Sequence, residues 1–526
     1  MEEAEATRAR PGHVYLVGAG PGDPGLVTVR GAELCSSADV ILHDELVDPA
    51  LLRLARAGAL VESVGKRGGT ATAKQAKQES IDARLVELAL GGKSVCRLKG
   101  GDPFLFGRGS EEAEALARAG VPFEVVPGVC SPLGAAAYAG ISLTHRDLAS
   151  SVTFVSGTTR DQESFDWREL GAVRGTVCVL MGMRRIEEIC EGLARAGREP
   201  STPCAVVEWG TWPRQRVVEA PLGELARAVT RAGLGSPGLV VVGAVTAMRS
   251  RLRWFDRQPL FGKRVLVTRP AGQAAATARL VRLRGGEPIE LPTIELVAPP
   301  DPARVTRAVR ELGGYDVVAF TSENGVAWTF REIDAQSRDA RALGGAVVAA
   351  IGPGTAAALR ARGVRPDVVA KEFRGEGLAE AILSESTLAV RRAQARAGGP
   401  PLRVLIPRAL VAREILVDLL QAAGCQVDVV PVYETRGASA ERRDELVRAF
   451  EERRVDVVML TSSSTADHLC DLLGSRAADL CAPALVASIG PITTATAERR
   501  GLVVGVSAQV HSVPGLVEAI EAALLR

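Results

Sequence analysis

The chain has 526 residues, room for three or four domains at roughly 150 residues each. A formal charge of +2 excludes a dedicated nucleic-acid binder, whose basic excess is large, and with no apolar run of about 18 residues no membrane span is expected. Hydrophobic residues make up 47% and aromatics only 4%, a balance that fits α/β layers better than a β-sandwich.

In chain order, residues 1–11 are polar, rich in Ala, Glu and Arg, and lack the apolar stretch of a signal peptide, so they read as a disordered tail. Val14–Val17 and Asp39–His43 read as strands. Ile81, Leu85 and Leu88 recur at helical spacing, and Gly91-Gly92 stop that helix. Val95–Leu98, Phe123–Val126, Val152–Ser156, Val177–Leu180, Ala205–Val207 and Leu239–Val242 read as further strands. Periodicity lapses at Trp254-Phe255-Asp256-Arg257-Gln258-Pro259, which places the main boundary near residue 258. The domains expected are 12–250 and 262–526, joined by a linker over 251–261.

The second half contains an internal repeat. Arg264-Val-Leu-Val-Thr-Arg-Pro270 resembles Arg403-Val-Leu-Ile-Pro-Arg408. Asp316-Val-Val-Ala-Phe-Thr-Ser322 resembles Asp456-Val-Val-Met-Leu-Thr-Ser462, and Ala350-Ile-Gly-Pro353 resembles Ser488-Ile-Gly-Pro491. The offsets are 139, 140 and 138 residues, which predicts two similar α/β domains facing a cleft rather than a solenoid of short repeats. Arg391–Pro401 is a polar segment carrying Gly and Pro and reads as a surface loop.

Nine cysteines are scattered without a CxxC, and five histidines form no HxxH. No metal site or disulfide framework is therefore expected, and a reducing, cytoplasmic setting is favoured. Two glycine loops follow predicted strands, where an open α/β sheet binds its ligands: Gly18-Ala-Gly-Pro-Gly-Asp23 and Gly100-Gly-Asp-Pro-Phe104. The first reads GxGxG rather than the dinucleotide GxGxxG. Its Pro21 also removes an N–H that a pyrophosphate cradle would use.

Taken together, Val14-Tyr-Leu-Val-Gly-Ala-Gly-Pro-Gly-Asp-Pro-Gly-Leu-Val-Thr28, Lys99-Gly-Gly-Asp-Pro-Phe-Leu-Phe-Gly-Arg-Gly109, Val126-Pro-Gly128, Ala137-Tyr-Ala-Gly-Ile-Ser-Leu-Thr-His-Arg146, Met181-Gly182 and Glu208-Trp-Gly-Thr211 resemble the tetrapyrrole methylase family, and within it uroporphyrinogen-III C-methyltransferases. The resemblance implies a class III methyltransferase of two α/β subdomains with S-adenosylmethionine folded in the cleft between them. It assigns cofactor contacts to Pro21, Gly100, Gly101, Asp102, Leu105, Cys130, Ser131, Met181, Gly210 and Gly238. It places the base and acid at Asp44 and Lys66, and implies a homodimer through this half. Where the family usually reads Tyr-Asp-Arg-Leu-Val, this chain has His43-Asp44-Glu45-Leu46-Val47. A helix N-cap is the alternative for Asp44, and a solvated charge for Lys66. The tetrapyrrole substrate carries many carboxylates, so Arg67, Arg97, Arg108 and Arg146 are candidate partners, with Arg108 and Arg146 the leading substrate contacts.

Residues 262–526 resemble uroporphyrinogen-III synthases through Arg264–Pro270, Phe320-Thr-Ser-Glu-Asn-Gly-Val326, Ile351-Gly-Pro353, Pro431-Val-Tyr-Glu-Thr435 and Ile489-Gly-Pro491. The resemblance implies a two-domain α/β fold in which the first βα piece packs with the C-terminal domain. The implied reaction cyclises hydroxymethylbilane with inversion of ring D, without a cofactor. Ser322, Ser462 and Thr493 are candidate substrate contacts, with ordinary N-capping as the alternative. Tyr433 maps to the tyrosine proposed as proton donor to the leaving hydroxyl. The synthase product would be the methyltransferase substrate; a methylase of a later precorrin is the competing reading. Whether the product goes to siroheme or cobalamin stays open.

Overall fold

The computed structural model describes residues 8–65, 71–158, 167–389, 393–394, 399–452 and 454–525. Its strands group into four sheets, two in each half of the chain. The first sheet takes β1 (Val14–Gly18), β2 (Val40–His43), β3 (Leu60–Ser63), β4 (Val95–Lys99) and β5 (Phe123–Val126) in the order 3-2-4-1-5, all parallel. Every residue of β1 and β4 is buried, as near-continuous apolar runs at the centre of a covered parallel sheet must be. The helix Ala71–Leu90 buries Ile81 and Leu85 against this sheet. It ends at Gly91-Gly92, where Gly92 adopts φ +76°, a conformation that costs glycine little.

The second sheet contains β6 (Val152–Ser156), β7 (Thr176–Leu180), β8 (Pro203–Glu208), β9 (Arg216–Pro221) and β10 (Gly238–Val242), in the mixed order 6-7-10-8-9. Its helix Ile186–Arg195 turns Ile186, Ile189, Cys190 and Leu193 inward at i, i+3, i+4 and i+7, the spacing of one helical face. Residues 254–261 then fold back on the first half. The rings of Trp254 and Phe255 pack edge-on to Tyr138 at 5.0 and 4.8 Å, and Arg249 donates to Asp256 at 2.6 Å.

The second half builds two lobes. One contains β11 (Arg264–Val267) and β12 (Glu287–Glu290) with β19 (Val457–Leu460), β20 (Leu485–Ser488) and β21 (Val504–Ser507), all parallel, in the order 12-11-19-20-21. The other contains β13 (Ile294–Val297), β14 (Val317–Phe320), β15 (Val347–Ala350), β16 (Val368–Val369), β17 (Arg403–Ala409) and β18 (Gln426–Gly437), in the order 13-18-17-14-15-16. Without the antiparallel β13, the two orders superimpose: β11 matches β17, β19 matches β14 and β20 matches β15. These are the pairs the sequence repeat picks out. The repeat therefore links equivalent places in opposite lobes, and the first βα piece does pack with the C-terminal strands.

Thr176 and Thr268, fully buried at strand ends, donate to Leu143 O and Met459 O, so their hydroxyls are satisfied. All nine cysteines are free and buried. Burial holds the Cys178 thiol at about 12. Among the described residues no helix is long and apolar enough to cross a membrane, and no cluster of three His, Cys, Asp or Glu side chains is placed to hold a metal. The segment Arg391–Pro401 lies largely outside the described residues.

Candidate active sites

In the first half the loops after β1, β4 and β5 meet backbone to backbone. A Cβ on Gly18 would lie 2.5 Å from the Cα of Gly128, and one on Gly128 would lie 2.4 Å from the carbonyl of Gly101. Gly20 and Gly101 exchange hydrogen bonds as an isolated bridge. Asp102 locks the junction: one carboxylate oxygen accepts from Gly128 N–H at 3.0 Å, the other from Phe104 N–H at 2.8 Å. Gly101, at φ +71°, puts its backbone against Ser131, the first residue of the helix Ser131–Tyr138, of which Cys130 is the N-cap. Gly100 differs from these neighbours, because a Cβ there would meet nothing within 4 Å. Protein packing does not demand glycine at 100, and the space above it is open.

Pro21 rests against this same helix, where a Cβ on Gly134 would lie 2.4 Å from its ring. The neighbouring Asp23 receives the hydroxyl of Tyr138 at 2.6 Å, and its N–H donates to Thr211 at 3.0 Å. Burial and the Asp23 hydrogen bond raise the Tyr138 phenol well above its ordinary range. Gly210 packs on Ala135, 2.4 Å from where its Cβ would stand. The GxGxG loop, helix 131–138 and loop 209–211 thus form one wall. Met181 is 48% exposed at φ +55°, with Leu105 in a loop flanked by exposed Phe104 and Phe106. Gly238 lies deeper, against Met183.

Asp44 follows β2 and is not a helix cap. Its carboxylate accepts from Arg97 Nη2 at 2.5 Å and from Gly100 N–H at 3.2 Å. Behind it, Glu112 Oε1 accepts from Lys99 Nζ at 2.8 Å and Arg97 Nε at 3.2 Å. Arg97 and Lys99 are 2% exposed and Glu112 is fully buried, whereas the Asp44 side chain is 34% exposed. Burial alone would raise the Asp44 carboxyl, but Arg97, Lys99 and the Gly100 N–H outweigh it and hold it below the usual carboxylate range. Contrary to the sequence expectation, Arg97 is therefore no surface partner for substrate carboxylates. It is committed to Asp44. Arg108, at φ +58°, pairs with Glu111 at 2.6 Å, and Arg146 is exposed. Lys66 and Arg67 lie outside the described residues.

In the second half the equivalent strand ends of the two lobes carry Arg269 and Ser462 in one lobe and Arg408 and Ser322 in the other. Ser322 caps the helix Glu323–Ala335 by accepting from Gly325 N–H, and Ser462 caps the helix Ser463–Leu473 in a capping box with Thr465. The Ser322 hydroxyl also lies 3.4 Å from the Tyr433 hydroxyl, whose ring stacks on Trp328. Thr493 is 4% exposed in the first turn of the helix Pro491–Arg499, and its neighbour Thr494 is held by Ser488 at 2.6 Å. Sequence reasoning missed Arg269 and its bridge. Arg269 donates to Gln273, which donates to Asn324 of the other lobe at 2.7 Å. The signal was available, since Arg269 and Arg408 close the same motif in the internal repeat.

Two α/β modules, each gathering its candidate residues at strand ends, define a two-site enzyme. The family model for tetrapyrrole (corrin/porphyrin) methylases matches residues 13–226, and that for uroporphyrinogen-III synthase HemD matches 275–518. A porphyrin biosynthesis protein HemD from Ruminiclostridium josui is 37% identical over 87% of this chain and 88% of its own length. A siroheme synthase from Azotobacter vinelandii is 50% identical over 48% of this chain, and the matched region is 55% of that protein. A uroporphyrin-III C-methyl transferase from Thermus thermophilus, solved in native form and with S-adenyl homocysteine, is 42% identical, covers 45% of this chain and 99% of its own, and has a TM-score of 0.40. The chain belongs to the HemD family of porphyrin biosynthesis proteins and is a bifunctional enzyme of tetrapyrrole biosynthesis.

Proposed function

We propose that residues 12–250 methylate uroporphyrinogen III twice at carbon to give precorrin-2, using S-adenosylmethionine, and that residues 262–526 make uroporphyrinogen III from hydroxymethylbilane without a cofactor. The observation that carries the first assignment is the Asp44 carboxylate, paired with Arg97 and the Gly100 N–H beside the open space at Gly100. When bound, S-adenosylmethionine supplies an electrophilic sulfonium methyl. Gly100, Gly101, Asp102, Leu105, Pro21, Cys130, Ser131, Met181 and Gly210 would hold it, with Gly238 behind them.

Asp44 accepts a hydrogen bond from a pyrrole N–H of the substrate. As the ring carbon takes the methyl, that nitrogen becomes an acidic iminium, and Asp44 can take its proton despite its low basicity. One proton leaves per methyl transferred. Fixing the ring against the methyl donor supplies much of the rate. Lys66 is assigned the role of the acid, and Arg108 and Arg146 are assigned to substrate. In the second half, Tyr433 with Ser322 is assigned proton donation to the leaving hydroxyl, and the helix N-termini capped by Ser322 and Ser462 receive carboxylates. The synthase supplies the substrate of the methylase, which favours this reading over a methylase of a later precorrin. We also assign the enzyme to the cytoplasm, as a homodimer through its first half.

The test is incubation of the full chain with hydroxymethylbilane, with and without S-adenosylmethionine. Without it, uroporphyrinogen III is expected, rather than the type I isomer formed spontaneously. With it, the absorbance of a dimethylated dipyrrocorphin should follow. Type I isomer alone would remove the synthase assignment, and unmethylated type III product in both arms would remove the methylase assignment.

A further inference from the structure

We infer that Arg97 and Glu112 are positioning residues for methyl transfer: Glu112 holds the Arg97 guanidinium, and Arg97 aims the Asp44 carboxylate into the cleft. This rests on the methylase reading above. Four charges lie in series: Asp44, Arg97, Glu112 and Lys99. The three inner ones are no more than 2% exposed, and only Asp44 reaches the surface. Arg97 spends one nitrogen on Asp44, a second on Glu112 and a third on Leu98 O at 3.3 Å, so its plane is fixed by three acceptors. Glu112 spends a single oxygen on Arg97, Lys99 and Gln78, while its Oε2 is buried with no hydrogen-bond partner among the described residues.

A purely structural network would satisfy both oxygens, because an orphaned buried carboxylate oxygen is costly. Retaining Glu112 as an anion instead balances two buried cations and leaves Arg97 free to face outward to Asp44. Burial and the neighbouring Arg97 both lower the Lys99 ammonium, so Lys99 is the group that yields if the balance is disturbed. The other ionisable groups facing this cluster are Asp82, which receives Gln78 at 2.8 Å on the helix Ala71–Leu90, Arg108 and Glu111 beside Glu112, and His43 and Glu45 beside Asp44. Burial raises the Asp82 carboxyl. Lys66 lies outside the described residues.

The experiment compares the full-length wild type with Arg97→Gln, Arg97→Lys and Glu112→Gln. Arg97→Gln should lower kcat for methyl transfer ~100-fold at neutral pH, the scale of a misplaced reacting group. With its cation gone and its burial kept, Asp44 should titrate higher, so the acid limb of activity should move to higher pH than in the wild type. Arg97→Lys should recover part of kcat, and Glu112→Gln should lose ~10-fold. S-adenosylhomocysteine affinity and synthase turnover, both read on the same chain, should stay within about twofold of wild type, since the Arg97 and Glu112 side chains hydrogen-bond to none of the residues assigned to the cofactor and lie outside the second half.

Infrared difference titration against Asp44→Asn follows the Asp44 proton without turnover, so it reports even if methyl transfer fails in the wild type. Wild-type kcat and an unshifted Asp44 titration in Arg97→Gln would overturn the inference. So would a loss of S-adenosylhomocysteine binding equal to the loss of turnover. If Arg97→Gln does not fold, Glu112→Gln decides by the same readings.

Discussion

The two halves share an α/β build yet invest their irregularities differently. Among the described residues, six non-glycine residues have φ near +50° to +73°: Phe106, Arg108, Met181, Trp209 and Thr211 in the first half, and Ser337 in the second. The first five all lie in loops after β4, β7 and β8, the loops that carry the residues assigned to the methyl donor. Such conformations cost of order 1 to 3 kcal/mol each and persist where the surroundings impose them. The second half instead ends its strands in capped helices, with Ser322 and Ser462 in ordinary extended conformations. A methyl donor and a ring carbon must be held in line, which demands fixed loops and one placed charge. Cyclisation of a flexible polycarboxylate asks for many weak contacts across a cleft. Dependence on single residues should therefore be concentrated in the first half and spread out in the second.

The largest effect expected is at Asp44. Asp44→Asn should cost ~10³-fold in methyl transfer, within the range for a placed general base, while synthase turnover in the same preparation stays unchanged. In the wild type, Asp44 is held below the ordinary carboxylate range, so it stays ionised as pH falls and protonates only below that range. Methyl-transfer kcat should accordingly be flat from neutral pH to about 5. An acid limb near 6 that disappears in Asp44→Asn would break the comparison, because the charge would then not be pre-set.

Next come the glycines, which separate ligand space from packing. Gly100→Ala meets open space, so melting should not move, but S-adenosylhomocysteine affinity should drop ~10-fold or more by calorimetry. Gly18→Ala meets the Gly128 backbone at 2.5 Å and should lose about 2 kcal/mol or more of stability. Equal effects at both sites would mean the loop is only a tight turn. In the second half, Tyr433→Phe and Ser322→Ala should each slow cyclisation no more than ~10-fold, and Ser322→Ala should also cost about 1 kcal/mol through the lost cap. A ~10³-fold loss at Tyr433 would give the second half the single-residue dependence reserved above for the first.

Strands written as apolar runs were legible because burial on both faces leaves no other composition. β3 and β9 were not, since Leu60–Ser63 has no buried residue and Arg216–Pro221 alternates weakly. The glycine contacts were legible through motif wording. The network behind Asp44 was not, because its members are spread over three elements and charged residues read as surface. A trace did exist: Arg97 and Lys99 stand at i and i+2 in an otherwise apolar strand, which puts both on one face, where a buried anion had to be waiting.

The smallest effect expected concerns the seam between the halves. Arg53 pairs with Glu290 at the end of β12, and Arg282 of the helix Ala271–Leu283 lies 3.6 Å from Glu290 and 3.7 Å from Asp48. Arg53 is 46% exposed, and Glu290 keeps Arg282 when Arg53 is removed. Arg53→Ala should therefore cost no more than about 1 kcal/mol in thermal melts and leave both activities within about twofold. Asp48 ends the loop that begins at Asp44, so Arg282→Ala is the sharper probe. If the halves work independently, Arg282→Ala leaves methyl transfer as it leaves cyclisation. A selective loss of methyl-transfer kcat would show instead that the second half props the loop carrying the first half's single placed charge.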